Sequence, residues 1–157
     1  NLACLAKVVE SPDQSELTVD LQKAPSGEPL LYLPFPGGQM RFYILYDEPT
    51  KLYWMISTQT TDSMKRVELL HPKRWNIPNN ERHRLALYFS KNCVDWCFAA
   101  PLADAGDVGQ SRHNVAAVID NDDLYFVSRT AGPNAKNAHS ADLVTFHTVK
   151  GFRQLVY

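Results

Sequence analysis

An order of parts that occurs twice constrains this chain more than any composition figure. Residues 40–46 and 52–57 are β-rich runs joined by a turn at Asp47 to Lys51, and residues 115–119 and 124–128 are two more. The second pair is joined by Asp120, Asn121, Asp122 and Asp123. Asn and Asp tolerate left-handed backbone and bond their own main chain, so this turn predicts a tight hairpin. Leu52-Tyr53-Trp54 lies over Leu124-Tyr125-Phe126, and Ser90, Asn92, Val94 and Trp96 lie over Ser140, Asp142, Val144 and Phe146. The second match is closer spaced than the first because the first copy carries a longer loop between Thr58 and His83. Third and fourth strands are expected at 84–89 and 96–100 in the first copy, and an outer strand at 144–149 in the second. Two copies in one order predict a radially repeated antiparallel sheet, an all-β β-propeller.

Size then sets a limit. Propellers use at least four blades of about 40 to 50 residues each, and this chain has 157 residues. The expected content is two complete four-stranded blades plus the tail of a third, out of roughly five or six blades. Residues 1–29 would be outer strands of a preceding blade, 30–105 the first complete blade with a long loop at 58–82, and 106–157 the second blade with a closing segment. Remaining blades or other chains would be needed for closure. The first residue, Asn1, favours a piece of a longer protein.

The net charge of −1 gives no bulk attraction to nucleic acid. No apolar run reaches the length of a membrane span, and no signal peptide is visible. Cys4, Cys93 and Cys97 lack metal-site spacing; Cys93 and Cys97 would pair across a turn or, as small hydrophobes, be buried thiols. Residues 1–9 and 16–21 read as strands around a turn at 11–15. Thr60, Thr61, Asp62 and Ser63 form a cap for a short helix over 64–70. The aromatics Phe42, Tyr43, Tyr46, Tyr53 and Trp54 read as core between blades.

Strand direction alternates within a blade, so the loop before the inner strand and the loop from second to third strand open on one face. This rule gathers Arg112 and His113, Arg129, Asn137 and His139, and Arg82 and His83 on one rim, with Ser57, Gln59 and Asp62 nearby. Asp47, Glu48, Asp120, Asp122 and Asp123 fall on the opposite rim. Guanidinium groups offer forked donors matched to a carboxylate, so Arg129, His139, Arg112, His113, Arg82 and His83 are candidate binding residues for an anionic or hydroxyl-rich ligand. The plain alternative is that Arg129 and His139 satisfy loop carbonyls. His113, His139 and Asp142 form no compact metal motif, and no cofactor is expected. His71 and His147 read as exposed or packed. Paired carboxylates serve glycoside hydrolysis, and this rim offers only Asp62 and Glu81. Catalytic residues are therefore not assigned.

The run from Phe35 to Asp47, Leu52 to Trp54, Glu81 to Ser90 with Asp95 and Trp96, Asp122 to Leu124, Val127 to Thr130, Asn137 to His139, Thr145 to His147 and Gly151 to Arg153 resembles bacterial sialidase-like (exo-alpha-sialidase-type) propellers. The resemblance covers nearly the whole chain from Leu30 onward. It implies the C-terminal part of a secreted or periplasmic glycosidase-like propeller acting on glycans, with Arg129 and Arg112 as members of an Arg cluster for a sugar carboxylate. The family's Tyr, Glu and Asp do not map onto this sequence. The segments 90–96 and 140–146 also lack the full Asp-box pattern, and look as much like the S-x-D-L-x-x-W turns of five-bladed glycosidases. Two other readings stay open: a non-catalytic glycan-binding propeller, and a propeller scaffold for protein partners.

Overall fold

A computed structural model describes residues 2–38, 40–61, 65–72 and 81–157. The chain divides into two units, residues 1–35 and 36–157. In the first, β2 (Ala6–Glu10) and β3 (Leu17–Leu21) form an antiparallel hairpin, and β1 (Leu2–Ala3) pairs with β4 (Leu33–Pro34). The Ser11 hydroxyl closes the hairpin turn by accepting from the Ser15 and Glu16 amides at 3.1 and 3.0 Å. Val8, Leu17 and Val19 remain exposed.

The second unit holds two antiparallel sheets. The first runs in the order β5 (Tyr43–Asp47), β6 (Leu52–Thr58), β7 (Arg84–Ser90), β8 (Cys97–Asp104). The second runs β9 (Ser111–Asp120), β10 (Asp123–Ala131), β11 (Leu143–Val149). Successive side chains of a strand point to opposite faces. Leu52, Trp54 and Ile56 on β6, with Leu85, Leu87 and Phe89 on β7, therefore present one apolar face. That face packs against Val115, Leu124 and Phe126 of the second sheet. Strand β9 lies against β5, β6 and β7. Pro101 sits inside β8, which pairs only with β7 and has register shifts on both sides of it. Edge strands and bulges are where a residue without an N–H is tolerated.

Both hairpins form where the sequence predicts them. Asn121 turns β9 into β10 with φ 51°, and Asp120 pairs with Asp123. Two complete four-stranded blades do not form: the chain supplies four strands to one sheet and three to the other, and none of the sheets closes. After β11 the chain turns at Gly151 (φ 57°) into a single 3-10 turn, Phe152–Leu155, whose Phe152 enters the core instead of extending the sheet. The two S-x-[N/D]-x-V-x-aromatic segments are also not equivalent. Residues 90–96 join β7 to β8, whereas residues 140–146 lead into β11, which pairs with β10 as β7 pairs with β6. The helix expected over 64–70 is a 3-10 turn at Val67–Leu69, and Asp62, Ser63 and Met64 lie outside the described residues. The three cysteines are unpaired, and Cys97, expected to be buried, is exposed at the start of edge strand β8.

One glycine carries a specific constraint. Gly37 has φ 105°, and a Cβ there would stand 2.1 Å from Ser57 Oγ and 2.8 Å from Thr58 O. Gly37→Ala combines a strained backbone with a clash against the buried end of β6, so a loss of about 2 to 3 kcal/mol is expected. Urea unfolding should show a lower midpoint at unchanged slope.

Candidate functional site

At one end of the second unit, three segments converge. The first is the lead-in to β7. There Arg82 O accepts from Arg112 N at 2.6 Å and His83 O accepts from Ala105 N at 2.8 Å, which fixes the segment to β9 and to the loop after β8. Glu81 is buried beside it, with Oε2 accepting from the amide and hydroxyl of Thr61 at 3.0 and 2.8 Å. The second is the loop from β8 to β9. It is held by two Asx turns, in which Asp104 and Asp107 carboxylates accept from the amides of Gly106 and Gly109 at 2.8 and 2.6 Å. The third is the loop from β10 to β11. Asn137 Oδ1 accepts from the amides of His139 and Ser140 at 3.0 and 2.9 Å, and Asp142 Oδ1 accepts from Gly132 N at 2.8 Å. These segments enclose a cleft of about 800 Å³, whose polar lining includes Arg82, Asp107, Gln110, Lys136, Asn137 and His139.

A β-bulge sets what stands behind the cleft. Between the pairs Ala116–Val127 and His113–Arg129, β9 has two residues where β10 has one. The extra residue is accommodated at Asn114, whose φ is 49°. Bulges re-aim side chains and are common beside active sites. His113 thereby leaves the apolar row of Val115, Ala117 and Ile119 and stands directly across from Arg129, and directly opposed residues share a face.

The result is a cluster of basic side chains behind a cleft whose lining also carries Asp107. His113 is 0 % exposed and Arg82 9 %, and among the described residues neither His113 ring nitrogen nor Arg82 Nε has a hydrogen-bond partner. Burial pulls Arg82 below its ordinary pKa, and the Arg129 charge adds to this. Burial also drives His113 down to about 4, reinforced by the charges of Arg82, Arg129 and His139. His113 is thus a neutral imidazole at pH 7, held among positive charges.

Arg82, His113, Arg129 and His139 are brought together. Arg129 also serves the loop, its Nη2 donating to His139 O at 2.9 Å. Arg112 departs from the group: it is opposite Thr130 in the ladder, its Nη1 donates to Ser111 O at 2.8 Å, and its charge acts on His147. His83 is buried at the start of β7. Ser57 is buried against Gly37, and Gln59 N donates to Arg84 O at 3.0 Å. Asp62 lies outside the described residues. Among the described residues no group of three His, Cys, Asp or Glu side chains is placed to hold a metal. Asp107, Gln110 and Lys136 were not anticipated at the site. The paired Asp-x-Gly steps at 104–106 and 107–109 are the local signal that marks this loop as built rather than slack.

The opposite rim is occupied internally. Arg153 grips Asp47 with Nε and Nη2 at 2.9 and 2.8 Å, and its Nη1 reaches Asn121 O and Asp122 Oδ1 at 2.8 and 2.9 Å. Asp123 accepts from Gly151 N at 2.9 Å. On β10 and β11, Ser128, Thr130 and Thr145 form a hydroxyl cluster that continues to His147 Nε2, 2.8 Å from Thr145 Oγ1. The His147 ring stacks on Phe126 with centroids 4.6 Å apart. This cluster fills the inside of the sheet and ties the two strands in register.

No protein-family model, curated protein or solved structure matches this chain.

Proposed function

We propose that the cleft binds a glycan through an acidic sugar, and that the two sheets are neighbouring blades of a sialidase-like β-propeller, secreted or periplasmic and of bacterial type. The observation that carries the binding reading is Arg82, a buried guanidinium with an unpartnered Nε at a cleft also lined by Lys136 and His139. A buried charge is costly unless it is paired, and a carboxylate is the geometric match for a guanidinium edge. Asn137 adds orientation: its Oδ1 is committed to its own loop, which leaves its amide to donate to sugar hydroxyls. The propeller reading is supported by the meander order of the first sheet and by the seating of β9 against β5, β6 and β7.

The reading is one of binding, and it assigns no catalytic role to a residue of the cleft. Glu81 is the buried carboxylate nearest the cleft in sequence, and its Oε2 accepts two hydrogen bonds from Thr61.

The test is a glycan array followed by calorimetry with the protein and its Arg82→Ala and His139→Ala variants. Acidic glycans should bind and neutral ones should not. Arg82→Ala should weaken binding about tenfold to a hundredfold, the range for losing one charged hydrogen-bond partner. Equal binding of neutral and acidic glycans, or indifference to Arg82→Ala, would refute the reading.

A further inference from the structure

We infer that binding of a carboxylate in this cleft is coupled to uptake of a proton by His113, so that the site takes up acidic ligands more tightly as the medium acidifies. The inference rests on the binding reading above and adds its regulation.

The geometry has three parts. His113 is fully buried, and both of its ring nitrogens lack a partner, so no protein acceptor fixes its neutral form. What opposes its protonation is surroundings that are dry and positive. The charged and titratable groups acting on it are Arg82 from the lead-in to β7, Arg129 from β10 and His139 from the β10–β11 loop; among the described residues no carboxylate belongs to this set. Arg82 and His139 both line the cleft, while His113 does not. His113 is therefore behind the ligand position and senses it through the field of the two residues that touch it.

A ligand carboxylate beside Arg82 adds negative charge to this set; the carboxylate of the cleft lining, Asp107, accepts from the Gly109 amide at 2.6 Å. The ligand offsets the repulsion on an imidazolium, raises the proton affinity of His113 and, by linkage, is itself held more tightly by the protonated protein. The proton comes from bulk water, and the ligand carboxylate stays ionised, so no other reactant is required. A ligand charge offsets the repulsion but not the burial, so His113 moves only part of the way up from about 4, and the rise in affinity between pH 7.5 and pH 5.5 stays below about tenfold.

Glucuronate serves as the probe, with methyl glucoside as the neutral control. Calorimetry at pH 7.5 and pH 5.5, in buffers of different ionisation enthalpy, reads affinity and proton uptake together. Proton NMR of the His113 ring reads its titration directly in the unaltered protein, with and without glucuronate. The expected result is tighter binding at pH 5.5 with net proton uptake, and a His113 titration that moves up with ligand. His113→Gln should lose the part of the pH dependence that belongs to His113, leaving only what His139, which lines the cleft, contributes. Glucuronate binding with no proton uptake and an unmoved His113 titration would overturn the coupling alone. Absence of glucuronate binding at both pH values would overturn the binding reading and the coupling with it.

Discussion

Arg153→Ala should lower the stability of the second unit by about 3 kcal/mol or more, the scale for removing one partner of a buried ion pair. Asp47 is only 2 % exposed, and Arg153 is its bidentate partner at 2.8 and 2.9 Å. The same guanidinium bonds the β9–β10 turn through Asn121 O and Asp122. One side chain thus joins the β5–β6 turn of the first sheet to the hairpin turn of the second. The hydrogen bonds from Arg153 hold the Asp47 carboxyl below its usual range, which states the same coupling from the acid's side. Removing the arginine strands a buried carboxylate, and that charge accounts for most of the cost. Asp47→Asn combined with Arg153→Ala should therefore be more stable than Arg153→Ala alone. Urea midpoints of the three proteins decide it: a double variant no better than the single one would show that the loss comes from packing around Phe152 instead.

This staple explains why part of the fold was hidden in the sequence. The two hairpins were legible because their information is local: β-rich runs at 52–57 and 124–128, and a turn whose Asn121 accepts a left-handed backbone. Of the aromatics read as core, Trp54 is buried, whereas Phe42, Tyr43 and Tyr46 are exposed. Arg153 and Asp47 lie far apart in the chain, and nothing in either neighbourhood announces the partner. The sequence marks residues 152–157 only as a closing segment, yet Phe152 is fully buried edge-on to Trp54, with ring centroids 4.8 Å apart. A single aromatic after a turn carries no period, so burial there is decided by the space left between the sheets.

The candidate site shows the same division. The strand-direction rule collected Arg82, His113, Arg129 and His139 because loop ends alternate with strand order, whatever the side chains do. It could not distinguish Arg112 from them. Adjacent residues of a strand point to opposite faces, and which one turns towards the cleft depends on the bulge at Asn114. A bulge is a property of the β9–β10 ladder rather than of β9. Without it, His113 would continue the row of Val115 and Ala117, and plain alternation in β9 assigns it there. The matched segments 90–96 and 140–146 mislead for a related reason. Asn92 closes a local turn with the amides of Val94 and Asp95, whereas Asp142 accepts from Gly132 N across its loop, so the shared spacing reflects residue types and not a shared turn.

The bulge also makes the protein acid-sensitive well before its carboxylates titrate. In the folded chain His113 binds a proton only near pH 4, whereas an ordinary imidazole does so near 6.5. Between these values the unfolded chain holds more protons than the folded one, so stability falls as pH is lowered through that window and is unaffected by this group above it. The loss should reach about 1.4 kcal/mol at pH 5.5 and about 3 kcal/mol at pH 4. Asp47 acts in a separate window: its folded value is depressed below 3.8, so its contribution disappears only at lower pH. Urea unfolding followed by tryptophan fluorescence at pH 7, 5.5 and 4 measures the first window without ligand. His113→Gln removes the titrating group, so its stability relative to the unaltered protein should improve steadily as the pH falls from 7 to 4. A constant difference between the two proteins across that range would mean that His113 titrates alike in both states and is not held neutral by burial among cations.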